Sequence, residues 1–81
     1  MKEKSNVFEH NGVSFTLREA EVLLCCAEGM TIQETAERLS IASGTVRKHH
    51  NNLSLRFGLH GYHGLTFFAV GMKQELEKYA L

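Results

Sequence analysis

From residue 15 onward, apolar positions recur at helical spacing, and polar punctuation divides them into separate runs. Thr16-Leu17-Arg18-Glu19 opens the first run. It has the form of a capping box, in which the Thr hydroxyl takes a backbone N–H and the Glu reaches back to the cap, with Phe15 in place as a hydrophobic staple. This helix is predicted to run to about Glu28, with Gly29 as its left-handed C-terminal residue. Thr31-Ile32-Gln33-Glu34 repeats the capping device, and Ile32, Thr35, Ala36 and Leu39 form the inner face of a short second helix. After a turn at Ser40-Ile41-Ala42-Ser43-Gly44, a third helix is predicted from about Ser43, with Val46, His50, Leu53 and Phe57 inward and Gly58 closing it. Its opposite face carries Arg47, Lys48, Asn51, Asn52 and Leu55. Beyond a Gly- and His-rich turn over 59–64, a fourth helix is expected to continue to about Tyr79. Leu65, Phe68, Ala69, Met72 and Leu76 form its inner stripe, and Phe67 and Val70, beside Gly71, form a second apolar line. Residues 1–14 read as a loosely held arm. Proline is absent and β-branched alternation is scarce, so the predicted class is all-α: one four-helix domain over 15–81.

A short helix, a tight turn and a longer helix with a polar outer face make a helix-turn-helix arrangement. The first helix lies across the phosphate backbone and the second enters the major groove. Ala36 suits a close crossing of the two helices. The formal net charge of zero conceals a segregation that fits this reading. Seven of the nine Glu lie at or before Glu37, there is no Asp, and no acid falls between Arg38 and Lys73. That stretch carries Arg38, Arg47, Lys48, Arg56 and Lys73, which is the footprint of a polyanion-binding face, although a merely solvated face would have the same composition.

An 81-residue chain with a hydrophobic fraction of 43% is a single small globular domain. A chain of this size leaves little room for a deep catalytic cleft, and no nucleophile–His–carboxylate set is apparent. Cys25 and Cys26 are adjacent, a poor geometry for a bridge, and read as small hydrophobes in a reducing compartment. His60 and His63 lack a matching Cys pair, so neither a zinc site nor any cofactor is expected. The longest apolar run is too short to span a membrane, and Met1-Lys2-Glu3-Lys4 does not lead into a secretory core, so the expected location is cytoplasmic.

Four segments carry a family resemblance: 15–23 (FTLREAEVL), 27–31 (AEGMT), 34–39 (ETAERL) and 44–49 (GTVRKH). Together they resemble the LuxR/GerE family, a four-helix DNA-binding domain of bacterial transcription regulators, over roughly residues 15–70. The resemblance implies that the helix opening with Thr45-Val46-Arg47 is the recognition helix and that the terminal helix forms a dimer. It places Arg47, Lys48 and Asn51 against bases, and Thr45, Asn52 and Arg56 against phosphates. The chemistry agrees, because Arg grips guanine O6/N7 and Asn reads adenine N6/N7. Phe67, Val70 and Gly71 become the expected dimer surface. Members often join this domain to a sensing or receiver domain, so the chain reads as either a free-standing member or an excised C-terminal domain.

The sequence departs from the family pattern at several positions. Ala42 stands where a Ser cap is common, so Ser43 is expected to take over as cap. Thr35 and His50 replace apolar inner residues. Phe57 follows Arg56 where a Lys-Leu pair is common, and Tyr62 takes a usual Arg position. His49 matches a His frequent in the family and is expected to be structural.

Two functions from different classes fit. The first is a sequence-specific DNA-binding transcriptional regulator with its recognition helix over about 43–57, acting as a homodimer on a near-palindromic site. The alternative is a protein-interaction module of the same fold that sequesters or modulates another regulator, a reading favoured by the neutral net charge and the missing Ser at Ala42.

Overall fold

The computed structural model describes residues 7–80. Its elements are β1 (Val7–His10), β2 (Val13–Thr16), α1 (Leu17–Ala27), α2 (Ile32–Leu39), α3 (Ser43–Phe57), α4 (Gly61–Gly71) and α5 (Lys73–Ala80). The chain is mainly helical, as its periodicity predicts, and the expected four-helix arrangement gains a small hairpin and a divided last helix.

The two capping boxes form as their spacing requires. Thr16 and Thr31 each accept from the N–H three residues on, while Glu19 and Glu34 accept from the backbone of the cap residue at 2.9 Å. α1 closes at Gly29 (φ +81°), where Met30 N–H donates to Cys25 and Gly29 N–H to Cys26, the paired bonds of a Schellman turn.

Residues 7–14 are not the loose arm expected of them. Residues 7–16 form an antiparallel hairpin with Phe8 opposite Phe15 and His10 opposite Val13. Asn11 and Gly12 turn it, both at positive φ (52° and 81°), as a two-residue hairpin with the right twist demands. Phe15 is fully buried and Phe8 packs beside it, with ring centroids 6.0 Å apart. His10 stacks edge-on against Phe68 at 5.6 Å and meets Glu75 at 3.3 Å, which ties the hairpin to α4 and α5. Residues 1–6, the remainder of the expected arm, lie outside the described part.

The expected single last helix is divided. α4 begins at Gly61, within the predicted turn, and ends at Gly71. Met72 leaves helical geometry (φ −100°, ψ 5°) and α5 starts at Lys73. The inner stripe continues across the break, because Leu65, Ala69, Met72 and Leu76 are all buried. They pack with Phe15, Ala20, Val22, Leu23 and Cys26 from the N-terminal half and with Leu53 from α3. Burying each large member contributes about 1.5–3 kcal/mol. α1 lies against α4 and α5, and α3 packs against α2, α4 and α1. Among the described residues, no helix is long and apolar enough to cross a membrane.

Candidate nucleic-acid interface

α2 and α3 are joined by three residues, Ser40, Ile41 and Ala42. Ser40 sits in the left-handed region (φ 58°), and Ile41 N–H closes back on the Ala36 carbonyl at 3.0 Å. That tight closure fixes where α3 begins. Ala42 is the N-cap residue and no side chain caps the helix; Ser43 is already the first helical residue, so the expected shift of the cap to Ser43 does not occur. Ala36 is buried on the α3 side, as a close crossing requires. Thr35, which stands in place of an apolar inner residue, is fully buried. Its hydroxyl donates to the Thr31 carbonyl at 2.9 Å, so its polar atom is satisfied within the helix.

One face of α3 is anchored. Val46 and Leu53 are fully buried, His50 is nearly so, and Phe57 is half-buried, with its ring 4.6 Å from that of Phe68. His50 Nε2 lies 3.3 Å from Cys26 Sγ. Burial, aided by electrostatic interaction with the neighbouring His49 and Arg47, pushes the His50 pKa down, while burial and then the neighbouring Cys25 push the Cys26 thiol up to about 12. Both groups are therefore neutral near pH 7. The contact is a packed polar bond inside the domain, with none of the thiolate–imidazolium character of a nucleophile.

The other face of α3 is open. Thr45, Arg47, Lys48, Asn51, Asn52, Leu55 and Arg56 are all exposed. Arg47, Asn51 and Leu55 share a groove with Ile32 at the start of α2 and with Gly61 and Leu65 of α4. The residues assigned to bases and those assigned to phosphates are thus all exposed on one helix, with Thr45 at its N-terminal end. His49 is half-buried on the flank. The side chain of Tyr62 lies outside the described part.

Arg56 has a partner that spacing within one helix does not reveal. Its guanidinium donates to Glu19 Oε1 at 2.7 Å and to the Ser14 carbonyl at 3.2 Å, joining α3 to the cap of α1 and to β2. Burial works to raise the Glu19 pKa, but it is outweighed by the Arg56 hydrogen bond, the Thr16 N–H and electrostatic interaction with Arg56 and the nearby His49, so the carboxyl is held below its ordinary value. The Glu19 bond raises the Arg56 pKa in turn.

On α4, Phe67 is 83% exposed and Val70 51%, and Gly71, also exposed, has nothing within 4 Å of the position a Cβ would occupy. The three residues expected at a dimer surface form one uncovered patch.

No curated protein and no solved structure matched the chain. The model of one family, bacterial regulatory proteins of the luxR family, matches residues 13–69, a span from the second hairpin strand to most of α4 that includes every residue assigned here to DNA. The chain belongs to the LuxR family of bacterial regulatory proteins.

Proposed function

We propose that the protein is a sequence-specific DNA-binding transcriptional regulator of the bacterial cytoplasm that inserts α3, residues 43–57, into the major groove. The observation that carries this reading is the two-sidedness of α3. Val46, His50 and Leu53 are buried, while Arg47, Lys48 and Asn51 project to solvent on a helix without a single carboxylate. Arg47, Lys48 and Asn51 read base edges; Thr45, Asn52 and Arg56 contact phosphates and set the register. Because Arg56 also holds Glu19, its phosphate contact is made from a fixed position. No cofactor takes part in this reading.

The working unit is a homodimer. Phe67 and Val70 are large apolar groups that the domain's own core leaves uncovered, and a two-fold pairing of α4 buries each against its symmetry mate. Gly71 allows close approach of the backbones. Such a pairing sets two recognition helices about one DNA turn apart, which matches a near-palindromic site.

The interaction-module alternative draws on the zero net charge and on the engagement of Arg56 by Glu19. Titration of a random duplex at two salt concentrations separates the two readings. A DNA-binding face loses affinity steeply with salt, with a slope of roughly 0.9 per neutralised phosphate on a logarithmic scale. Binding that is absent or indifferent to salt supports the alternative.

A further inference from the structure

The outward stripe of α3 contains one residue that neither base hydrogen bonding nor phosphate binding uses. Leu55 is 81% exposed, although it is a large aliphatic side chain on a helix whose neighbouring outward positions are polar. Its register is informative. At 100° per residue, position 55 lies within about 20° of Lys48, seven residues earlier, and is flanked by Asn51 and Asn52 one turn back. Leu55 therefore lies within the arc from Arg47 to Lys48 that makes the proposed base-reading face, toward its Lys48 edge. It lines the same groove as Arg47 and Asn51, and among the described residues no element covers it.

Charge limits what can cover it. Arg47 and Lys48 stand on this stripe, and between Arg38 and Lys73 the chain carries no Asp or Glu. The surface around Leu55 thus suits a polyanion that also presents an apolar group. The major-groove edge of DNA presents one methyl group, the 5-methyl of thymine; the other groups by which base pairs are told apart there are hydrogen-bond donors and acceptors. Leucine has no atom that could bond to those. Along the helix axis, Leu55 lies about 6 Å beyond Asn51, at 1.5 Å per residue. That displacement sets it over a neighbouring base pair, not the one Asn51 reads.

We infer that Leu55 is a specificity-determining residue that recognises the 5-methyl group of a thymine next to the bases read by Arg47 and Asn51. The inference rests on the DNA-binding reading above and adds one apolar contact to its hydrogen-bonded ones.

The test uses the full chain and a duplex selected from a random pool, with each thymine replaced in turn by deoxyuridine, which removes the methyl group and nothing else. Wild type should lose about fourfold in affinity at one thymine per half-site, the worth of one buried carbon group. Leu55→Ala should bind the unsubstituted duplex about as weakly as wild type binds that deoxyuridine duplex, and should no longer distinguish the two. Arg47→Ala, weakened overall, should still distinguish them. Circular dichroism melting confirms that Leu55→Ala is folded, as expected for a substitution at an exposed helical site. Indifference of wild type to every thymine replacement overturns the inference and leaves the DNA-binding reading standing. So does unchanged discrimination by Leu55→Ala. A pool that yields no enriched sequence overturns both.

Discussion

Arg56 joins the recognition helix to the rest of the domain, and its contribution can be isolated. The Glu19 side chain is 8% exposed and that of Arg56 36%, with 2.7 Å between Nη1 and Oε1. At this range two unit charges attract by about 6 kcal/mol for an effective dielectric constant of about 20. Desolvation of Glu19 and solvent screening at Arg56 remove more than half, which leaves a coupling of about 1–2 kcal/mol. Glu19→Gln is the informative partner change, because Gln still serves the capping box with Thr16 and only the charge is lost. Urea unfolding of wild type, Glu19→Gln, Arg56→Gln and the double variant, followed by circular dichroism at pH 7, gives the coupling directly. Arg56→Gln alone should lower the melting temperature by about 5–15 °C. The pH dependence has a definite sign. The folded carboxyl sits below its ordinary value of 4.5, so the coupling is fully present above that pH and is lost as pH falls through the lowered value. A coupling below about 0.3 kcal/mol at pH 7, or one unchanged under acid conditions, would refute this view of Arg56.

Three further predictions follow from the same geometry. Ala42→Ser supplies the missing cap of α3 and should stabilise the domain by about 1 kcal/mol; an unchanged urea midpoint contradicts the cap assignment. His50 is held neutral by burial, and below its ordinary value of 6.5 the unfolded chain takes the proton more readily, so acid destabilises the fold. His50→Leu should accordingly raise the melting temperature more at pH 5.5 than at pH 8, and an equal change at both argues against a buried neutral ring. Phe67→Glu should leave the monomer folded but weaken binding to a full palindromic site, and sedimentation showing wild-type stoichiometry and affinity would remove the dimer from the picture.

What the sequence revealed of all this divides by range. The capping boxes at Thr16 and Thr31 and the Gly29 terminus were legible because every participating group lies within five residues of its partner. The inward and outward sides of α3 followed from period alone. The hairpin carried its own signal, Asn11-Gly12 between Phe8 and Phe15, but its strands are four residues each and too short to stand out beside long helical runs. The break at Met72 was hidden because the buried stripe passes through it in register, and only Gly71 weakens the helix there. The cap at Ala42 depended on how Ser40 closes the turn. Arg56 and Glu19 are 37 residues apart, and their ion pair is a product of tertiary packing that no local pattern contains.

Selection of bound duplexes from a random pool, with wild type and Arg47→Ala in parallel, shows whether the outward face of α3 reads DNA sequence. Wild type should enrich a near-palindromic motif, and Arg47→Ala should enrich the same motif with one position per half-site relaxed, at a cost of about 1–3 kcal/mol on the original sequence. No enrichment by wild type, or an identical motif from both proteins, contradicts sequence reading by that face.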